Sequence, residues 1–210
     1  MDDYRYVWYR GGGSEEPRRK TDKFMSSRHA LLSHCLANQN AKVDEYAMCA
    51  GCVRPVLNLL RQFGYRLHQM PCPEMGFLGV NRWWQVRDQY DTPGYRRHCR
   101  ELAKTVVSGI AEALRDPWED FVLIGVEGSG SSAVGLTGIG STWGGRPEEI
   151  AWQVAPGKGV WIEELEAELL ARGLPRPRAW GFPGELPSFR MDEAERSLRK
   201  FLEAGHHARG

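Results

Sequence analysis

The chain has 210 residues, 41% of them hydrophobic and 26% charged, with a formal net charge of +1. That length suits one domain with short extensions, and the apolar share is enough for a core. The near-neutral balance argues against attraction of the whole molecule to nucleic acid or a membrane surface, and no stretch approaches the roughly 20 apolar residues of a membrane-spanning helix.

Residues 1–26 are polar, with Gly11-Gly12-Gly13 and the basic run Arg18-Arg19-Lys20, and read as a flexible arm. No apolar signal core precedes residue 23, so a cytoplasmic, reducing location is the default expectation. A single α/β domain is expected over 27–205, followed by a tail at 206–210. Within it, residues 29–35 form an apolar run that reads as a strand ending in the polar loop Asn38-Gln39-Asn40. A helix follows, with Val53, Val56, Leu57, Leu60 and Phe63 at helical spacing. Pro55 fits its first turn and Gly64 its carboxyl cap. Residues 65–70 read as a second strand, ended by Pro71-Cys72-Pro73. A long helix is expected over 94–114, with a buried stripe through Tyr95, Cys99, Leu102, Val106, Ile110 and Ala113. Residues 121–126 are apolar throughout, as in a strand covered on both faces. They open into Gly128-Ser129-Gly130-Ser131-Ser132. A helix at 160–172, a strand at 178–181 and a helix at 192–203 complete the order.

Alternating strands and helices predict a three-layer α/β sandwich, a mainly parallel sheet flanked by helices. Ligands of such sheets bind beyond the carboxyl ends of the strands. Three of those ends carry reactive groups: Cys35, then Cys72 with Glu74, then the Gly-Ser loop. A reducing compartment argues against a disulfide framework for the five cysteines Cys35, Cys49, Cys52, Cys72 and Cys99. Cys35 and Cys72 read as ligands for a soft centre, iron–sulfur or zinc, or as two buried thiols. Cys49-Ala50-Gly51-Cys52 precedes a helix whose start favours thiolate, and reads as a ligand pair, a redox dithiol or inert thiols. Cys99 belongs to the core. Glu74 is a candidate acid/base or a solvated loop carboxylate. The Gly128–Ser132 segment offers N–H groups and hydroxyls as an anion or carbonyl cradle, and Gly157-Lys158-Gly159 is a second anion candidate or a plain loop. Arg82, Trp83, Trp84, Arg87, Tyr90, Tyr95, Arg96 and Arg97 form an aromatic and basic neighbourhood suited to a flat heterocycle or to a packed lid. His34 is a candidate metal ligand beside Cys35, but adjacent side chains on the expected strand point apart, so packing is its expected role.

Several ordered segments carry a family resemblance. They are Leu32-Ser33-His34-Cys35-Leu36-Ala37-Asn38-Gln39-Asn40, Gln69-Met70-Pro71-Cys72-Pro73-Glu74, Asn81-Arg82-Trp83-Trp84, the run from Gln89-Tyr90-Asp91-Thr92-Pro93-Gly94 through Arg100, Gly125-Val126-Glu127-Gly128-Ser129, and Gly157-Lys158-Gly159-Val160-Trp161-Ile162-Glu163-Glu164-Leu165. Together they cover most of residues 29–173, and the chain there resembles the thiouracil desulfidase family in its branch of related desulfidases. The resemblance implies a four-iron four-sulfur cluster (4Fe-4S) on three cysteines, with one iron open to take sulfur from a thiolated heterocycle. It implies Cys35 and Cys72 as ligands, with Glu74 and Ser129 assisting the chemistry. The family's third cysteine stands where this chain has Ser132, a poor replacement for a thiolate, so Cys49 or Cys52 is the expected substitute. If both joined, four thiolates would close the centre, which suits electron transfer, a structural role or zinc. The expectation is therefore a cytoplasmic, iron–sulfur, metal-binding desulfidase of sulfur metabolism acting on a small thio-compound, without membrane or stable nucleic-acid partners and with a homodimer open. The alternative is a non-catalytic module on the same fold that binds zinc, a fully ligated cluster or no metal.

Overall fold

The computed structural model describes residues 27–115, 117–140 and 153–207; the expected arm at 1–26 and the last three residues lie outside the described residues. In chain order the elements are β1 (Arg28–Leu32), α1 (His34–Ala37), α2 (Arg54–Gln62), β2 (Arg66–Gln69), α3 (Pro73–Leu78), α4 (Arg87–Tyr90), α5 (Pro93–Ala113), β3 (Asp120–Val126), β4 (Leu136–Ile139), β5 (Gln153–Pro156), α6 (Val160–Ala171), β6 (Arg178–Phe182) and α7 (Met191–His207). Four strands form one sheet in the order β2-β1-β3-β6, and every neighbouring pair is parallel. Strands β4 and β5 form a separate antiparallel pair.

The layers follow from the pleat. All seven residues of β3 are buried, and they divide by parity because successive side chains point to opposite faces. Val122, Ile124 and Val126 join Ala30 and Leu32 of β1 against Val56, Leu59 and Leu60 of α2 and Leu198 and Leu202 of α7. Phe121 and Leu123 join Leu31 against Tyr95, Cys99, Ala103 and Val107 of α5 and Trp161, Leu165 and Leu169 of α6. Helices thus cover both faces of a parallel sheet, as its unbroken apolar central strand requires. Pro55, Pro73 and Pro93 each sit in the first turn of a helix, where no backbone donor is lost. Gly64 closes α2 at φ +77, a left-handed conformation that favours glycine.

Two boundaries and four short elements differ from the sequence expectation. The first strand stops at Leu32: Ser33 N donates to Ile124 O (3.0 Å), and the next bonds, Leu36 N to Ser33 O and Asn38 N to His34 O, are helical. Cys35 therefore lies on α1 and not on a strand. The segments α3, α4, β4 and β5 are too short for periodicity to announce. Helix α7 continues through His207, so the expected tail begins inside it. Among the described residues no helix is long and apolar enough to cross a membrane.

Ile124 is wholly buried at the centre of the sheet. Ile124→Ala is expected to lower unfolding free energy by about 2–5 kcal/mol. Leu170→Ala on α6, at a residue 79% exposed, should stay within about 0.5 kcal/mol; urea unfolding of both variants checks the contrast.

Candidate functional site

In the order β2-β1-β3-β6 the chain progresses outward from β1 to β2, then returns past β1 to start β3. The crevice beyond the carboxyl ends of β1 and β3 is the switch point where open α/β sheets bind ligands. A cavity of about 50 Å³ lies there. Each strand of the main sheet contributes: His34 and Cys35 follow β1, Cys72 and Glu74 follow β2, Gly128, Ser129 and Ser132 follow β3, and Glu185 follows β6. Lys42, Arg82, Trp84 and Tyr90 complete much of the wall.

The sheet thus brings Cys35 and Cys72 to one cavity. Burial pushes both thiols up. For Cys72 the shift reaches about 12, burial being assisted by the Glu74 carboxylate and opposed by Met75 N–H and Arg82. For Cys35, burial dominates, opposed by Lys42 and reinforced by Glu185 and Glu74. Cys72 caps α3, its Sγ accepting from Met75 N (3.4 Å) and from Arg82 Nη2 (3.9 Å). Arg82 also donates from Nε (3.3 Å) and Nη2 (3.2 Å) to Glu74 Oε2, and to the carbonyls of Ala41 and Gly79. One guanidinium thereby fixes Cys72 and Glu74 relative to each other. Lys42 is paired with Glu185. Burial alone would lower the Lys42 ammonium, but Glu185 and the Cys35 sulfur beside it hold it above its ordinary range.

Ser129 and Ser132 both line the cavity. Ser129 Oγ accepts from Ser131 N (3.3 Å) and Ser132 N (3.0 Å). Those two N–H groups therefore serve the loop itself, so the expected cradle is partly filled from within. The Ser132 hydroxyl contacts Ser131 Oγ at 3.2 Å. The loop is held by close packing: a Cβ on Gly159 would come within 2.1 Å of the Ser131 carbonyl. Gly159 thus serves packing beside α6, and Lys158 pairs with Glu166.

Cys49 and Cys52 are not among the lining residues; Cys49 is exposed and Cys52 half-buried. Among the described residues no group of three or more His, Cys, Asp or Glu side chains is placed to hold a metal ion. Cys99 is wholly buried in the core, as expected. The aromatic and basic neighbourhood divides. Arg82, Trp84 and Tyr90 line the cavity, Arg87 and Arg96 bind Asp91 and Glu163, Tyr95 stacks on Tyr90 within the core (4.8 Å between centroids), and Trp83 and Arg97 are exposed.

His34 also lines the cavity, contrary to the packing role expected for it. A helical turn replaces the alternation of a strand, so neighbours 34 and 35 no longer point apart. Its Nδ1 faces Met70 O (3.2 Å) and Gln69 Nε2 (3.1 Å), and its buried Nε2 has no partner among the described residues. Tyr90 is 2% exposed, and its hydroxyl lies beside the Glu74 carboxylate, which with burial holds it well above its ordinary range. Sequence reasoning also missed Lys42 and Glu185. A lone lysine after a polar cluster and a glutamate in a loop before α7 carry no local signal.

The raised Cys72 thiol sets a pH dependence. In the metal-free protein the native state keeps a proton that the unfolded chain releases near pH 9, until about pH 12. The native state binds more protons across that window, so its stability falls as pH rises through it. Cys72→Ser should show a shallower alkaline decline than the parent in urea midpoints measured between pH 8 and about 10.5; identical slopes would contradict the assignment.

No family model matches the chain, and no solved structure matches it. The chain is similar to an uncharacterized protein of Methanocaldococcus jannaschii, 34% identical over 102 residues. The match takes in 49% of this chain and 65% of that protein, just short of two thirds of the relative's length.

Proposed function

We propose that the cavity at the β1/β3 switch point is a sulfur-handling site, and that the protein removes sulfur from a small thio-compound such as a thiolated heterocycle. The observation that carries this reading is the convergence of Cys35 and Cys72, 37 positions apart, on one cavity with Glu74, Ser129 and Ser132. Two thiols suit a soft centre anchored at two sulfur atoms with positions left open, and the Ser132 hydroxyl is a weak third donor beside them. Cys35 and Cys72 would hold an iron–sulfur group here, with the Ser132 hydroxyl at the family's third position; zinc on the same two sulfurs is the alternative metal. Cys49 and Cys52 lie outside the lining and are not needed in this set. Bound there, the group would supply a Lewis acid and a sulfide acceptor.

The chain's own residues account for the rest. In the net exchange a thiocarbonyl and one water become a carbonyl and one hydrogen sulfide, with no change of electron count. Glu74, oriented by two bonds from Arg82, is the acceptor for a proton of the incoming water. The Tyr90 hydroxyl, buried beside the Glu74 carboxylate, and the Ser129 hydroxyl are donors for the ring heteroatoms or the departing sulfur. Lys42 and Arg82 place positive charge beside Cys35 and Cys72, opposing the rise that burial and the Glu185 and Glu74 carboxylates impose on the two thiols. Tyr46 and Trp84, in edge contact at 6.2 Å and both lining the cavity, are the aromatic faces there for a flat heterocycle.

A second reading, a binding module on this fold without catalysis, is favoured by Ser132 at the third position. Anaerobic purification followed by iron, sulfide and zinc analysis separates the two. The desulfidase reading expects iron and inorganic sulfide, lost in Cys35→Ser and Cys72→Ser, retained in Cys49→Ser and Cys52→Ser, and raised in Ser132→Cys. It also expects sulfide release from a thiolated pyrimidine, reduced at least about tenfold by Glu74→Gln. A folded protein that holds no iron after anaerobic reconstitution and releases no sulfide would refute it.

A further inference from the structure

The Cys49-Ala50-Gly51-Cys52 motif remains outside the cavity and outside the function proposed for it. Of the five cysteines, Cys35 and Cys72 lie in the cavity and Cys99 in the core, whereas Cys49 is exposed and Cys52 half-buried. Cys49 Sγ lies 3.4 Å from the carbonyl oxygen of Cys52. A carbonyl oxygen sits about 2.4 Å from its own Cα, so the Cys49 sulfur is within about 6 Å of the Cys52 Cα, a distance that side-chain rotation and a small loop adjustment can close. Gly51, between them at φ +84, supplies a backbone turn that favours glycine.

The loop is not independent of the cavity. Gln39, 2% exposed, joins the two. Its side-chain Nε2 donates to the Cys35 carbonyl (2.6 Å), its Oε1 accepts from Met48 N (3.0 Å), and its backbone N donates to Gly51 O (2.6 Å). Val53 N donates to Leu36 O (2.9 Å), a second clip between the same segments. Any change of backbone at 49–52 therefore pulls on the helix that carries Cys35.

We propose that Cys49 and Cys52 are an oxidisable dithiol that closes to an intraloop disulfide, and that this closure acts on the Cys35 segment through Gln39 and Val53. The co-reactant is a small-molecule disulfide: two thiols and RS–SR give one Cys49–Cys52 disulfide and two RSH. One thiolate attacks the small disulfide and expels RS⁻. The second thiolate then attacks the mixed disulfide and expels the other RS⁻, and the two protein protons end on the two RSH. The proposal does not depend on a metal or on desulfidation.

The test equilibrates the reduced full-length protein with glutathione buffers of increasing oxidised fraction, quenches exchange with acid, alkylates free thiols with N-ethylmaleimide in denaturant at neutral pH, and maps the peptides by mass spectrometry. The expected result is a fall from five free thiols to three, reversed by excess reduced glutathione, with the lost pair mapped to residues 49 and 52. Cys49→Ser should lose one thiol instead, as a glutathione adduct on Cys52. Separate glutathione adducts on Cys49 and Cys52 in the parent, full retention of both thiols, or a Cys35–Cys72 disulfide would overturn the assignment. Amide hydrogen exchange tests the coupling in the same samples. The Gln39 and Val53 amides should change protection several-fold between reduced and oxidised protein, and unchanged rates would overturn the link to Cys35.

Discussion

Strands that run parallel must present their carboxyl ends at one edge of the sheet, and this constraint assembles everything at the cavity. Four chain segments separated by tens of residues leave β1, β2, β3 and β6 at the same rim. Each carries polar or sulfur-bearing groups there: His34 and Cys35, Cys72 and Glu74, the Gly-Ser loop, and Glu185. The order β2-β1-β3-β6 opens the crevice between β1 and β3, since crossovers on either side of it diverge. An apolar β3, buried on both faces, is what makes that order stable.

Within the rim, charge is organised in buried pairs. Lys42 with Glu185 and Arg82 with Glu74 place cation and carboxylate together, because either ion alone would carry a heavy desolvation cost. Pairs of this kind add little net stability, but losing one partner leaves an uncompensated charge. Their effect here is positional. Arg82 binds the carbonyls of Ala41 and Gly79 as well as Glu74 and Cys72, so the loop after α1 and both ends of α3 are tied to one guanidinium. Neutral thiols and the buried His34 Nε2, which has no partner among the described residues, remain, and these are the groups with capacity left for a ligand.

The sheet was legible in the sequence because its signals are local and strong. Phe121 to Val126 is unbroken apolar, Val53 to Phe63 has helical spacing, and proline and glycine mark the ends. Rim position for Cys35 and Cys72 followed from the alternation of elements alone. What was not legible depends on tertiary contact. The turn of helix that rotates His34 into the cavity arises where Ser33 makes the last bond to β3, and no residue pattern marks it. Lys42 and Glu185 meet across 143 positions. The loop of Cys49 and Cys52 follows the first strand, which suggested the same rim. Gln39 instead ties that loop to the carboxyl end of α1 through Met48 and Gly51, with neither cysteine in the cavity lining.

The central claim is that the sulfur atoms of Cys35 and Cys72 grip one soft centre. Titration of the metal-free protein with cadmium, a small soft ion, tests it most directly, in a background where Cys49 and Cys52 are both serine and binding is read from the thiolate-to-cadmium absorption band. The account predicts one cadmium per chain, with the band abolished by Cys35→Ser and by Cys72→Ser alike. A band that survives either change, or a folded protein that gives none, would contradict it.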